Sequence, residues 1–412
     1  MYSRIEKYAS SISSEITSHR RALHRIPETA FNEHKTHAYI LSALKDIHSE
    51  FDSGMKIYVG AAVTGHDTGI IAELFCGPGP VIALRFDIDA LAVSEPENDG
   101  HLPFSEGFSS LHPGFMHACG HDGHAAIGLA CVKICSAFKN SFRGTLRFIF
   151  QPAEEGCRGA RTIVEMGRLD DADVLLSGHI VGRDYDPSGS CDIIPGVISS
   201  LATTKLNVTF KGKSCHASEP ENGINVLPAI AFAVMKFTDI PVPKEGRALL
   251  NVGRITAGEG RNIIAGSGFL EMETRGSSTE LNRYMEQQAV EIIRMCADEY
   301  GCRADIDILG SSPCVESSPE LCSLSKKLCR LYFSEINSAE APAVFKASED
   351  VSVMLEHVKA HGGKGIFALF TTDTAAPLHS CFYDFDETIL PKASAFLSGL
   401  CLALSAGTDF PF

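Results

Sequence analysis

Four short apolar runs punctuate the chain, and each leads into polar residues capable of chemistry. Val81-Ile82-Ala83-Leu84-Arg85-Phe86 precedes Asp87 and Asp89, and Thr145-Leu146-Arg147-Phe148-Ile149-Phe150 precedes Glu154 and Glu155. Asp173-Val174-Leu175-Leu176-Ser177 precedes Gly178-His179, and Lys364-Gly365-Ile366-Phe367-Ala368-Leu369-Phe370 is followed, a short loop later, by His379. Runs this short and uniformly apolar read as strands buried on both faces. Helical spacing fills the intervals, as in Gly123–Phe138 and Gly159–Met166. Residues 14–47 read as helical with a break at Pro27, the second part running from about Thr36 to Ile47. Strand and helix in alternation predict an α/β fold on a mixed, mostly parallel sheet, with the ligand crevice at the carboxyl ends of the strands.

From about residue 197 to 311 the pattern changes. Leu206-Asn207-Val208-Thr209-Phe210 and Phe269-Leu270-Glu271-Met272-Glu273 alternate apolar with polar, as in a sheet with one solvated face. Two helical patterns, about Asn225–Thr238 and Ser278–Tyr300, would cover the other face. The expectation is a smaller α+β domain, residues 197–311, inserted into a discontinuous catalytic domain of residues 1–196 and 312–412. A length of 412 residues suits two cores better than one.

Composition narrows the function classes. A net charge of −15 argues against nucleic acid and anionic membrane surfaces as partners. No apolar run approaches the length of a membrane span. The fourteen cysteines are scattered, and the polar start Met1-Tyr2-Ser3-Arg4-Ile5-Glu6-Lys7 lacks the apolar core of an export signal. The reading is a cytoplasmic protein whose cysteines are mostly reduced, buried and structural.

Candidate chemistry concentrates in Met116-His117-Ala118-Cys119-Gly120-His121-Asp122-Gly123-His124 and in Gln151-Pro152-Ala153-Glu154-Glu155-Gly156. Thiolate and imidazole two residues apart, in a glycine-containing turn before a helix, suit zinc or a similar borderline ion. A lone pair of that kind is more often a core cysteine beside a capping histidine; the density of ligands around it favours metal. Adjacent carboxylates point in different directions, so one can hold metal while the other moves a proton. Otherwise they would be an acidic helix start, worth about half a kcal/mol from the macrodipole. His179 and His379 each follow a buried strand. His216 stands in a turn of the inserted region, where it could reach across an interface. Cys119 as a nucleophile is the weaker reading, since a bound metal would take its proton first.

These strings, with Arg21-Ala22-Leu23-His24-Arg25-Ile26-Pro27-Glu28 and Arg85-Phe86-Asp87-Ile88-Asp89-Ala90-Leu91, resemble the amidohydrolase branch of the dinuclear metallo-aminoacylase and carboxypeptidase family. The resemblance covers nearly the whole chain. Gly156-Cys157-Arg158-Gly159-Ala160-Arg161, Ala202-Thr203-Thr204-Lys205, Gly260-Arg261-Asn262, Glu273-Thr274-Arg275-Gly276, Ser348-Glu349-Asp350 and Asp384-Phe385-Asp386-Glu387 narrow it to members that release an aromatic acyl group from an acidic amino acid. It implies two divalent ions per subunit, Mn2+ or Zn2+, held by Cys119, His121, Glu155, His179 and His379, with Cys119 bridging. It implies Glu154 as general base and then acid, and Asp87 orienting a ligand histidine. His216 would stabilise the oxyanion in the facing subunit, and Asn262 and Arg275 would hold the substrate carboxylate. The inserted domain would act as lid and dimerisation domain.

The expected activity is metal-dependent cleavage of N-acyl amino acids of the p-aminobenzoyl-glutamate or indole-3-acetyl-aspartate type. The expected assembly is a homodimer, or a heterodimer with a related subunit. The alternatives are hydrolysis of other conjugates, such as hippurate or acyl-cysteine, and a non-catalytic metal-binding partner subunit. The intact Glu154 argues against the latter. Two departures from the family pattern stand out: the Ser214–Pro220 neighbourhood of His216 differs from the common small-residue version, which bears on the reach of that loop, and the segment from about Glu50 to Thr68 is short, which bears on the substrate rim.

Overall fold

The computed structural model describes residues 1–186 and 188–406. They form two compact units. Among the described residues, one comprises Met1–Ile198, Glu316–Val344 and Asp350–Ala406; the other comprises Ser199–Val315 with Phe345–Glu349.

The first unit is built on a seven-stranded sheet. Its strands lie in the order Lys56–Val59, Ile70–Phe75, Thr145–Gln151, Val81–Asp87, Val174–Gly182, Lys364–Thr372, Ile193–Ile194. The four middle neighbours run parallel, and the flanking pairs are antiparallel. Their continuous apolar runs are buried nearly end to end, which is why no alternation marks them. The helix His121–Ala137 is buried all round, packed among the helices Ser13–His24, His34–Phe51 and Ile389–Ser405. Gly120 turns the chain into it with φ 85°, and a Cβ there would lie 3.0 Å from the Tyr383 hydroxyl.

Two expectations for this unit need correction. The chain forms a helix already at Tyr2–Ser11, ahead of the expected residue 14, because Ile5 and Ala9 bury one stripe of a mostly polar segment. His179 lies inside a strand rather than after one. That strand runs on to Gly182 because its parallel neighbour pairs with it as far as Thr372.

Beneath the start of the buried helix lies a network of charges. Arg20, fully buried, reaches Asp122 at 2.9 Å, Asp384 at 2.7 Å and Glu387 at 3.2 Å. His24 meets Asp122 through Nδ1 at 2.8 Å and Glu95 through Nε2 at 3.0 Å. With a carboxylate oxygen at each ring nitrogen, this histidine is suited to the doubly protonated form.

The second unit is a four-stranded antiparallel sheet in the order Arg303–Ser312, Ala202–Lys211, Ser267–Gly276, Ala248–Ala257. Burial alternates along Ala202–Lys211 and Ser267–Gly276, and the helices Val226–Phe237 and Thr279–Glu299 complete the core. The unit extends past residue 311 because the amides of Cys314 and Val315 bond to the hydroxyls of Thr279 and Ser200. It also takes in residues 345–349, which the sequence pattern assigns to the larger domain. Their link is a pair of backbone bonds, Phe345 to Ser199 and Leu201 to Ala347.

Burial opposes the charged form of His24, but the bonds to Asp122 and Glu95 outweigh it and raise the pKa above the usual 6.5. The stability this ring contributes is therefore complete below pH 6.5 and is lost as the pH rises through the higher folded value. His24→Gln should remove that alkaline decline from urea-unfolding free energies measured against pH. An unchanged decline would assign it to another group.

Candidate metal centre

The strand ends of the first unit bring Cys119, His121, Glu154, Glu155, His179 and His379 together. Ligand atoms of Cys119, His121 and His179 lie within 4.8 Å of one another, as do those of Cys119, Glu155 and His379, and of His121, Glu154 and Glu155. Cys119 Sγ is 3.5 Å from His179 Nε2, and Glu155 Oε1 is 3.5 Å from His379 Nε2 and 4.0 Å from His121 Nε2. A tetrahedral ion with sulfur at about 2.3 Å and nitrogen at about 2.0 Å separates those atoms by about 3.5 Å.

The backbone fixes the histidine tautomers. His179 donates from Nδ1 to its neighbour's carbonyl, Ile180 O, at 2.7 Å, and His121 from Nδ1 to Asp89 O at 2.9 Å. His179 thereby presents Nε2 as a lone pair toward the cluster, whereas at His121 burial is outweighed by the neighbouring Asp87 and Cys119 charges, which favour a proton on the ring that a cation would replace. His121 Nε2 is buried without a hydrogen-bond partner among the described residues. Burial, assisted by the Glu155 charge, pushes the Cys119 thiol above the usual range. Burial likewise lifts Glu155 to about 7 and holds His179 well below its usual value. Each of these groups would be relieved by a cation, so the donor set fits divalent metal.

Glu154 and Glu155 owe their placement to a strained turn. Ala153 has φ 59°, a left-handed conformation for a residue with a Cβ. Its amide donates to Glu33 Oε1 at 3.0 Å. Glu33 also accepts from Phe31 N and from Thr68 Oγ1, both at 2.9 Å. Its burial, beside the Asp89 charge, lifts its pKa to about 7. Beyond Ala153, the two oxygens of Asp89 receive the amides of Glu154 and Glu155, at 3.1 and 3.0 Å. Glu154 Oε1 accepts the amide of Asp350 at 3.4 Å. His379 also has a left-handed backbone, φ 67°, held by its amide on Ala118 O at 2.7 Å.

Asp87 does not bond to a ligand histidine. Its Oδ1 faces His124 Nδ1 at 2.5 Å, against 3.9 Å to His121 Nδ1, and its Oδ2 takes Arg85 at 2.7 Å. His124 Nε2 in turn accepts the amide of Ile180 at 2.8 Å, so both of its nitrogens are occupied. The carboxylate beside His121 is that of Asp89, 3.3 Å from Nδ1. Sequence reasoning misses the supporting roles of Glu33, Asp89, His124 and Asp350; for Asp89 and His124 their place beside the motifs is a signal, and for Glu33 and Asp350 there is none. His117 is buried with both ring nitrogens unpartnered among the described residues, and burial pushes its pKa down to about 4.

His216, Asn262 and Arg275 belong to the second unit. His216 bridges to Ile263, and Ala217 N donates to Asn262 O at 3.0 Å, so the first two share adjoining exposed turns. Arg275, on the strand Ser267–Gly276, holds the Glu273 carboxylate with Nε at 2.9 Å and Nη2 at 3.1 Å.

A buried thiol, three imidazoles and two carboxylates converging at strand ends are the equipment of a metal-dependent hydrolase. The chain belongs to peptidase family M20/M25/M40, which residues 83–403 match. It is 39% identical over 348 residues to a subunit of the p-aminobenzoyl-glutamate hydrolase of Escherichia coli, covering 83% of this chain and 78% of that one. It is 34% identical to the indole-3-acetyl-aspartic acid hydrolase of Enterobacter agglomerans, covering 94% and 95%. The crystal structure of an aminobenzoyl-glutamate utilization protein from Klebsiella pneumoniae superposes with a TM-score of 0.77 at 26% identity, over 97% of this chain and 98% of that one. Among the described residues no helix is long and apolar enough to cross a membrane.

Asp89→Asn keeps the size of the side chain but replaces one of the two oxygens that receive the glutamate amides with a donor. Metal affinity, read by competitive chelator titration, should fall about 10–100-fold, as for lost outer-shell partners generally. Affinity equal to that of the parent protein would show that Asp89 does not position the centre.

Proposed function

We propose that this enzyme, an amidohydrolase of family M20/M25/M40, cleaves N-acyl amino acids in which an aromatic acyl group is joined to glutamate or aspartate. The convergence of Cys119, His121, Glu155, His179 and His379 around the buried Glu154 carries the chemical part of this reading. The activities of the two relatives support the substrate class. Two divalent ions, Mn2+ or Zn2+, held by those five residues would supply Lewis acidity toward the amide carbonyl.

The chain's own groups then have distinct tasks. Glu154, with its backbone amide tied to Asp89, takes a proton from the attacking water on its carboxylate and returns it to the leaving amine. His216 donates to the developing oxyanion from the facing subunit of a homodimer, or of a heterodimer with a related subunit. Asn262 and Arg275 receive the carboxylate of the amino-acid half. Arg275 is pre-set for this by its bidentate hold on Glu273, since a guanidinium fork that grips one carboxylate can accept a second in exchange. The second unit serves in this reading as lid and dimerisation domain.

Glu154→Ala should lower turnover of p-aminobenzoyl-glutamate or indole-3-acetyl-aspartate by about two to four powers of ten while metal content stays near that of the parent. Loss of metal from this variant, with retention in Glu155→Ala, would reverse the two assignments. If neither conjugate is cleaved by the metal-loaded parent protein while hippurate is, the substrate class is wrong and the chemistry stands.

Arg275→Ala should raise KM far more for an acyl-glutamate than for its amidated analogue, by the equivalent of about 2–5 kcal/mol for a desolvated charge pair. Equal losses on both would make Arg275 a structural partner of Glu273.

A further inference from the structure

A second group of metal-ligating side chains lies in the first unit and takes no part in the centre above. The helix Val351–Ala360 carries His357 in its last turn, and His361 follows at its C-cap. At that spacing the two share one face. Their ring centroids are 4.2 Å apart. Asp170, in the turn that follows the helix Gly159–Glu165, brings Oδ1 to 2.9 Å from His357 Nε2. One ligand atom from each of the three lies within 4.8 Å of the others.

Several features suit a cation here. His361 donates from Nδ1 to His357 O at 2.8 Å, which fixes its tautomer and leaves Nε2 as a lone pair. The His357 side chain is only 18% exposed, so its ring is held, whereas Asp170 at 58% remains open to an entering ion. The carboxyl end of the ten-residue helix adds partial negative charge at this spot. Two imidazoles with one carboxylate match zinc and its borderline neighbours; calcium or magnesium would want more oxygen.

We propose that Asp170, His357 and His361 form a binding site for a divalent cation of the zinc type, separate from the Cys119 centre, with water completing the coordination. Its effect follows from what it joins. At the other end of the same two helices, Ala160 N donates to Asp350 Oδ2 at 2.9 Å, and the Asp350 amide meets Glu154. An ion bridging Asp170 to the two histidines closes the open end of that clasp and stiffens the platform under Glu154.

The test is zinc binding by equilibrium dialysis of the full chain, with the zinc-dependent shift in Tm as a second readout. The His357→Gln/His361→Gln protein should bind about one zinc ion fewer per chain. It should also lose the Tm rise that the parent shows after its tightest sites are filled. Asp170→Asn, a milder change on an exposed side chain, should weaken the same class of sites about tenfold or more. Cys119→Ser should keep that class while losing the tighter one, which separates this site from the proposed hydrolytic centre. Equal zinc content in the parent and the double variant overturns the proposal, as does a weaker class that vanishes in Cys119→Ser and persists in both the double variant and Asp170→Asn.

Discussion

Arg85 is fully buried near the end of the central parallel strand, and its guanidinium is shared among several partners, Gln151, Asp87 and Asp350 among them. Nε donates to Gln151 at 2.7 Å, Nη1 to Asp87 at 2.7 Å and Nη2 to Asp350 at 2.8 Å. A charge without solvent persists only where opposite charge and hydrogen bonds replace the water. Here that requirement binds two strands and the start of the helix Val351–Ala360 to one point. The rest of the centre is assembled from it. Asp87 passes the constraint to His124, and His124 passes it to the backbone beside His179. Asp350 passes it to Gln151, to Ala160 and to Glu154. Deleting the guanidinium would take the countercharge from two buried carboxylates and leave them only their remaining hydrogen bonds, a defect of about 3–5 kcal/mol for a broken buried pair.

From this rigid base the reactive side chains project on strained backbone. Left-handed residues such as Ala153 and His379 cost about 1–3 kcal/mol each and survive only where their surroundings over-determine them. Both are so determined. Glu33 and Asp89 hold three successive amides of the glutamate turn, and the carbonyl of Ala118, next to Cys119, holds the amide of His379. The strain has a geometric use: it brings two adjacent carboxylates to the same cluster within one short turn.

Much of this is legible in the sequence. Uniform apolar runs announce the parallel strands, and the ligand-rich strings, one after the strand Thr145–Gln151 and one at the start of the helix His121–Ala137, announce the candidate centre, because parallel sheets gather their strand ends on one edge. The alternating segments around Leu206 and Leu270 announce the antiparallel sheet, since one face of it meets water. Legibility fails where partners are remote or the segment is featureless. Glu33 reaches a turn 120 positions away, and Asp350 reaches Glu154 across 196, with no local pattern to signal either. Asp87 suggests itself as the partner of a ligand histidine because both stand near the same strand end; which imidazole it faces depends on side-chain direction. The residues 345–349 carry too few positions for any period to emerge. His179 looks like a loop residue because Ser177 and Gly178 interrupt the apolar run, while the register of the neighbouring strand carries the ladder onward.

The buried Cys119 thiol has a consequence for how the protein lives with oxidants. Peroxides and disulfides react with thiolates, and this sulfur, 7% exposed and with its proton held by burial, is a poor thiolate on its own. A divalent ion would draw the proton off and at once occupy the lone pairs thereby freed. In the proposed centre the sulfur would thus be chemically quiet without metal and masked with it. Such a cysteine would endure aerobic conditions that convert an exposed, low-pKa cysteine to sulfenic acid.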